Sequence, residues 1–158
     1  MVFLFDYTRS HVVISVQFFK GSLMKIALIS CVKSKRTGRF EAKNMYTSTL
    51  FRYAWQYTNR HFDRVYILSA KHGLLRPDTR IRNYDVTLKT MSKDQRVRWS
   101  QKVAQQIRQE TAKRDEIYFF CGRRYREHVI ELLQQRTCVT PLAGLGLGKQ
   151  LQWYKNRS

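Results

Sequence analysis

KIALISC, residues 25–31, is the stretch on which the fold turns. Ile26, Ala27, Leu28 and Ile29 are consecutively apolar, and the basic segment KSKRTGR, 33–39, follows almost at once. A short unbroken apolar run cut off by polar chain is the pattern of a strand buried on both faces of a parallel sheet. Two more runs share it: RVYILSA at 64–70 and DEIYFFC at 115–121. TCVT at 137–140 reads as a short fourth strand.

Helical spacing fills the intervals. In 46–60, Leu50, Ala54 and Tyr57 fall on one face, with Tyr46 and Tyr53 beside it. Ser92 is placed to cap a helix reaching about Arg114, with Asp94 in its first turn and a stripe of Trp99, Val103 and Ile107. GRRYREHVIELLQQR, 122–136, predicts another, with Tyr125, Val129, Leu132 and Leu133 inward. The last segment, from Pro141, predicts a glycine-rich turn and a short helix. KHGLLRPDTRIRNYD, 71–85, reads as a long loop broken by Gly73 and Pro77. Strands alternating with helices predict a three-layer α/β/α domain with a mostly parallel central sheet of about four strands.

The 158 residues fit one domain, assigned here to 24–158. Residues 1–23 read as an N-terminal extension or a mis-assigned start, because Met24 opens the first strand. SHVVISVQF, 10–18, is a candidate edge strand within that extension. The extension lacks the basic start and small-residue cleavage site of a signal peptide. No apolar run is long enough for a membrane span. Three cysteines, Cys31, Cys121 and Cys138, show no CxxC pair, and the histidines show no metal spacing. Neither a disulfide framework, a metal site nor a cofactor is expected, and a reducing cytoplasm is.

Charge is the strongest global signal. Thirty Lys and Arg against eleven Asp and Glu give +19 and a pI near 10.4. Such an excess repels itself and attracts polyanions, so DNA or RNA is the expected partner and a membrane is not.

Ligands of open parallel sheets bind beyond the carboxyl ends of the strands. Those ends carry Ser30, Cys31, Lys33 and Lys35; Ser69, Lys71, His72 and Gly73; Gly122, Tyr125 and Arg126; and Gly144 and Gly148. Small residues let a ligand approach the backbone, and cations hold its phosphates. Tyr125 could stack on a base or simply fill the core. Cys31 is a candidate nucleophile, with Lys33 and Lys35 to lower its pKa, or a small residue ending a strand. His72 is a candidate acid/base group or an ordinary loop histidine. Asp78 and Asp85 are candidates to activate water, or partners of Arg76, Arg80 or Arg82. GLGLGK, 144–149, lacks the spacing of a nucleotide-hydrolysing phosphate loop, and Gln150 stands where a hydroxyl is needed.

ISCVKSK, YTSTLF, YILSAKHGLLRPD, YDVTL, RVRWSQKV, FFCGRRYREHV and PLAGLGLGKQLQWY stand in order between residues 25 and 154. Together they resemble an uncharacterised bacterial and phage domain family with the pattern SCxKxK, LYxSxLF, ILSAKYGLLxPD, YDxTL, GxxYRE and PLxGLxIGxQLxWL. His72 replaces a Tyr of that pattern, and Tyr154 its last Leu. Tyr46, Ser48, Pro77, Asp78, Tyr84, Asp85, Tyr125 and Arg126 match motif positions, as do the strand-end residues Ser30, Cys31, Lys33, Lys35, Ser69, Lys71, Gly73, Gly122, Gly144 and Gly148. The family is distantly similar to the YaaA peroxide-stress proteins, which bind DNA. It is also similar to the uracil-DNA-glycosylase-like domain of archaeosine-pathway tRNA-modifying enzymes. The resemblance implies contact with nucleic acid and supplies no reaction.

Three functions stay open: a nucleic-acid-binding domain acting on a base or its N-glycosidic bond; an enzyme of a free nucleotide or phosphosugar; and a non-catalytic DNA-binding protein. A broad band of cations favours a polymer, and a ring around one pocket favours a small ligand. The oligomeric state is not legible.

Overall fold

The computed structural model describes residues 21–30 and 34–157. The candidate strand at 10–18 lies outside them. Strand β1 (Lys25–Ser30) is central in a sheet that also holds β3 (Arg64–Ser69), β4 (Gly73–Leu75), β6 (Glu116–Phe120) and β7 (Cys138–Val139). Their order is β4-β3-β1-β6-β7, and only the β4 edge strand is antiparallel. The sheet therefore has five strands, one more than the sequence pattern predicts.

Alternation on the strands explains the two cores. Ile26 and Leu28 of β1, Tyr66 and Leu68 of β3, and Ile117 and Phe119 of β6 face one layer. Ala27 and Ile29, Val65 and Ile67, and Phe120 face the other. Each strand thus buries both faces, so its residues run apolar without alternating in polarity. Helices α3 (Lys93–Glu110) and α4 (Arg123–Leu132) cover the first face. Helices α2 (Thr49–His61) and α5 (Leu147–Lys155) cover the second. The first crossover leads from β1 to β3, and the next returns across β1 to β6. Right-handed crossovers in opposite directions place their helices on opposite faces.

Local signals account for most helix bounds. Ser92 and Gln95 form a reciprocal capping box: the Gln95 N–H donates to Ser92 Oγ (3.2 Å), and the Ser92 N–H to Gln95 Oε1 (2.8 Å). Trp99, Val103 and Ile107 are buried as the spacing predicts. On α2 the buried face is turned by about one residue, to Phe51, Ala54 and Thr58, leaving Leu50 and Tyr57 half-buried. Leu132 of α4 is exposed rather than inward, because the helix ends there and Leu133 takes the core position.

The predicted loop at 71–85 is the main correction. Two strands occupy it: β4, hairpinned on β3, and β5 (Arg80–Arg82), paired with β2 (Arg39–Glu41). The hairpin closes at the Ser69–Gly73 pair, where Gly73 has φ +79°. A three-residue turn closed by a left-handed residue selects glycine there. Strands of three residues are too short for periodicity to show.

The β2–β5 ribbon links the segment after β1 to the segment after β4. Gly38 and Asn83 clamp it, with the Gly38 N–H donating to Asn83 Oδ1 and the Asn83 N–H to the Gly38 carbonyl, both at 3.0 Å. Short helix α1 (Ala42–Met45) is tied to the turn of Pro77 and Thr79 by the Ala42 and Lys43 N–H groups. This scaffold delivers Tyr84 to the carboxyl end of β3.

Candidate nucleotide site at the carboxyl edge

Ser69 ends β3 and is fully buried, so its polar groups need partners inside the protein. Its carbonyl accepts from the Trp99 indole N–H at 2.9 Å. Its hydroxyl accepts from the His72 backbone N–H at 3.1 Å and lies 2.7 Å from the Tyr84 hydroxyl. Tyr84 in turn lies 2.9 Å from the Tyr46 hydroxyl. Three hydroxyls from three distant segments form one chain.

Cations gather on this chain. Lys35 pairs with Tyr46 in an isolated antiparallel bridge, flanked by bonds from the Arg36 N–H to the Met45 carbonyl and from the Thr47 N–H to the Ser34 carbonyl. That clip aims Lys35, whose Nζ stands 4.5 Å from the Tyr84 ring centroid. Lys71, in the β3–β4 turn, places its Nζ at 5.9 Å from the same centroid. Each cation is attracted by the ring's electron-rich face, and the two repel one another.

His72 meets Tyr84 edge-on at 5.5 Å. Burial, then the positive charges of Lys71 and Lys102, push its pKa below the ordinary 6.5. Its Nε2 is sealed from solvent without a hydrogen-bond partner among the described residues. In this conformation the ring packs against Tyr84. The pH dependence follows. Unfolded His72 takes a proton near pH 6.5, and folded His72 resists until lower pH. Its stabilising contribution is thus complete above about pH 6.5 and is lost as pH falls through the folded pKa. His72→Tyr, which restores the residue of the resembled pattern, is expected to flatten the fall in Tm between about pH 7 and pH 5. An unchanged pH slope in thermal melts would place the titration elsewhere.

The other candidates divide. Ser30 is half-buried at the end of β1, level with Leu68 of β3. Tyr125 packs edge-on against Trp99, ring centroids 5.6 Å apart, so it joins the cluster through the indole that holds Ser69. Gly122 is the exposed N-cap of α4, with Arg123 and Arg124 exposed behind it. Arg126 is half-buried, near the Cys121 thiol. Burial pushes that thiol up to about 12, so it stays protonated. Gly144 has φ +79°, which a turn into the last helix requires, and Gly148 is exposed in the first turn of α5. Asp78 and Asp85 are both exposed; Asp85 follows Tyr84 but shows no bond to the cluster. Cys31 and Lys33 lie outside the described residues. Among those residues no group of three or more His, Cys, Asp or Glu gathers to hold a metal ion, and no helix is long and apolar enough to cross a membrane.

Sequence reasoning passed over the centre of the cluster. Tyr84 and Tyr46 stand in motifs, yet a tyrosine carries no signal of where its hydroxyl points.

A family described as one of unknown function, DUF6884, matches residues 26–156. The chain is also 37% identical over 75 residues to "Uncharacterized protein YfjM" of Bacillus subtilis (strain 168), over 43% of this chain. It spans about half the length of that curated relative, the match covering 50% of it. No solved structure matches.

Proposed function

We propose, from the premise that the chain belongs to the DUF6884 family, that it is a nucleic-acid-binding domain whose carboxyl-edge cluster receives a nucleotide. The observation that carries this reading is the convergence of Lys35 and Lys71 on Tyr84, above the hydroxyl chain of Ser69 and Tyr46. It lies where ligands of open parallel sheets sit. Lysines would hold a phosphate, and the tyrosines would orient the sugar or base by hydroxyl contacts.

Exposed cations continue along the same edge: Arg36 and Arg52 after β1, Arg123 and Arg124 after β6, Lys149 after β7. A band of this breadth favours a polymer over a free nucleotide. The resemblance to DNA-binding and tRNA-modifying families points the same way. Cys121 and Cys138 are free thiols, which suits a reducing cytoplasm. Lysines and hydroxyls are groups that bind and orient, and their convergence supports the binding part of this reading.

The test is binding across a salt series to single-stranded DNA, duplex DNA and tRNA. Log affinity is expected to fall linearly with log salt, by about 0.7 per phosphate for single strands and about 0.9 for B-form duplex. Absence of binding to all three at low salt would overturn the proposal and favour a small anionic ligand.

A further inference from the structure

A cavity of about 270 Å³ opens beside α2. Arg36, Lys43 and Arg52 line it with Tyr46, Phe51 and Trp55, of which Trp55 is half-buried and the other two are core residues. Its geometry follows from the elements already described. Phe51, Arg52, Trp55 and Gln56 form one strip of α2, spaced by a helical turn. The clip that turns Lys35 toward Tyr84 carries Arg36 as the next residue, and α1 supplies Lys43 and Asn44.

The charge of this groove is only partly compensated. Among the described residues no carboxylate lines it. Lys43 pairs with Glu41 at 3.3 Å, but Arg36 and Arg52 make no ion pair among the described residues. Like charges that share a groove with half-buried Trp55 repel one another and favour a ligand that is both anionic and flat. Tyr46 joins the two sites, since it is among the groove's lining residues while its hydroxyl lies 2.9 Å from that of Tyr84.

We propose that the groove is a second nucleotide subsite for single-stranded nucleic acid. An unpaired base lies on the Trp55 indole, Arg36 and Arg52 hold the adjoining phosphates, and the strand continues past Tyr46 to the Tyr84 site. A paired base cannot offer its face to the ring, so the occupant is a single strand. This assignment rests on the nucleic-acid reading and names its substrate class.

The experiment uses the full chain with two probes: a thymidine oligomer of roughly a dozen nucleotides, within the range one such domain spans, and thymidine monophosphate. Trp55→Ala is expected to weaken oligomer binding about five- to a hundredfold. Trp55→Phe retains a stacking ring and recovers most of the loss. Arg52→Ala, at an exposed position that does not endanger folding, lowers the salt slope for the oligomer by about 0.7. Wild-type oligomer affinity and salt slope in Trp55→Ala and Arg52→Ala, with Lys35→Ala and Lys71→Ala weakened, would overturn the subsite and leave the Tyr84 reading intact. Equal losses on a duplex of the same length would overturn the single-strand assignment. Wild-type protein binding neither probe would overturn both readings.

Discussion

The double substitution Lys35→Ala, Lys71→Ala is expected to weaken single-stranded DNA binding at low salt roughly a hundredfold, about tenfold for each cation. The magnitude rests on charge-assisted bonds to phosphate, at about 1.5 kcal/mol each at the low end of their range. The same variant should lower the salt slope by about 1.4, the release of two counterions' worth from a single strand. Its fold should survive, because Lys71 is exposed and Lys35 half-buried, and neither forms an ion pair among the described residues. Lys113→Ala is the control. It lies just before β6, at the opposite edge of the sheet, where its ammonium donates to Gln135 at 2.8 Å. If all this protein's cations acted only through net charge, the control would shift the slope by as much per charge removed as the site variant. The site-specific reading requires the two to differ.

Trp99→Ala should cost about 3–5 kcal/mol of stability, the usual range for emptying a large aromatic site in a core. For a chain of this length the loss corresponds to a fall in Tm of roughly 6–20 °C. Trp99 is nearly fully buried among Leu68, Val103 and Val129 in the core beneath α3 and α4. Trp99→Phe separates packing from hydrogen bonding. It keeps most of the ring but leaves the Ser69 carbonyl without its indole donor, a loss of about 1–3 kcal/mol for a buried acceptor. Because Ser69 also holds Tyr84, Trp99→Phe should weaken nucleotide binding even in protein that remains folded. Thermal melting and oligonucleotide titration together decide this. A Trp99→Phe protein with wild-type Tm would show that the indole bond is not needed. Wild-type affinity in a destabilised protein would show that the Ser69 carbonyl does not position the site.

The sequence by itself determined the sheet and its layers. Three strands carry unbroken apolar runs, and burial on both faces leaves no room for polar residues to alternate. The capping box at Ser92 and the Trp99 stripe mark α3 because both act within one or two turns of chain. Strand-end positions also sufficed to select Lys35, Ser69 and Lys71, since a parallel sheet brings those loops to one edge whatever the details. Tertiary structure alone decided the rest. Strands β4, β2 and β5 have three residues each, and their pairing depends on partners up to some forty residues away, such as Phe40 with Ile81. Tyr84 is central only because that ribbon carries it back over Ser69. Asp85, its neighbour and the more conspicuous residue in a basic chain, is turned outward to solvent. The groove at Trp55 arises where α2 meets a clip and a short helix with no periodic pattern of their own. A hydroxyl's direction and a cavity between segments are properties of packing, and no local run of residues encodes them.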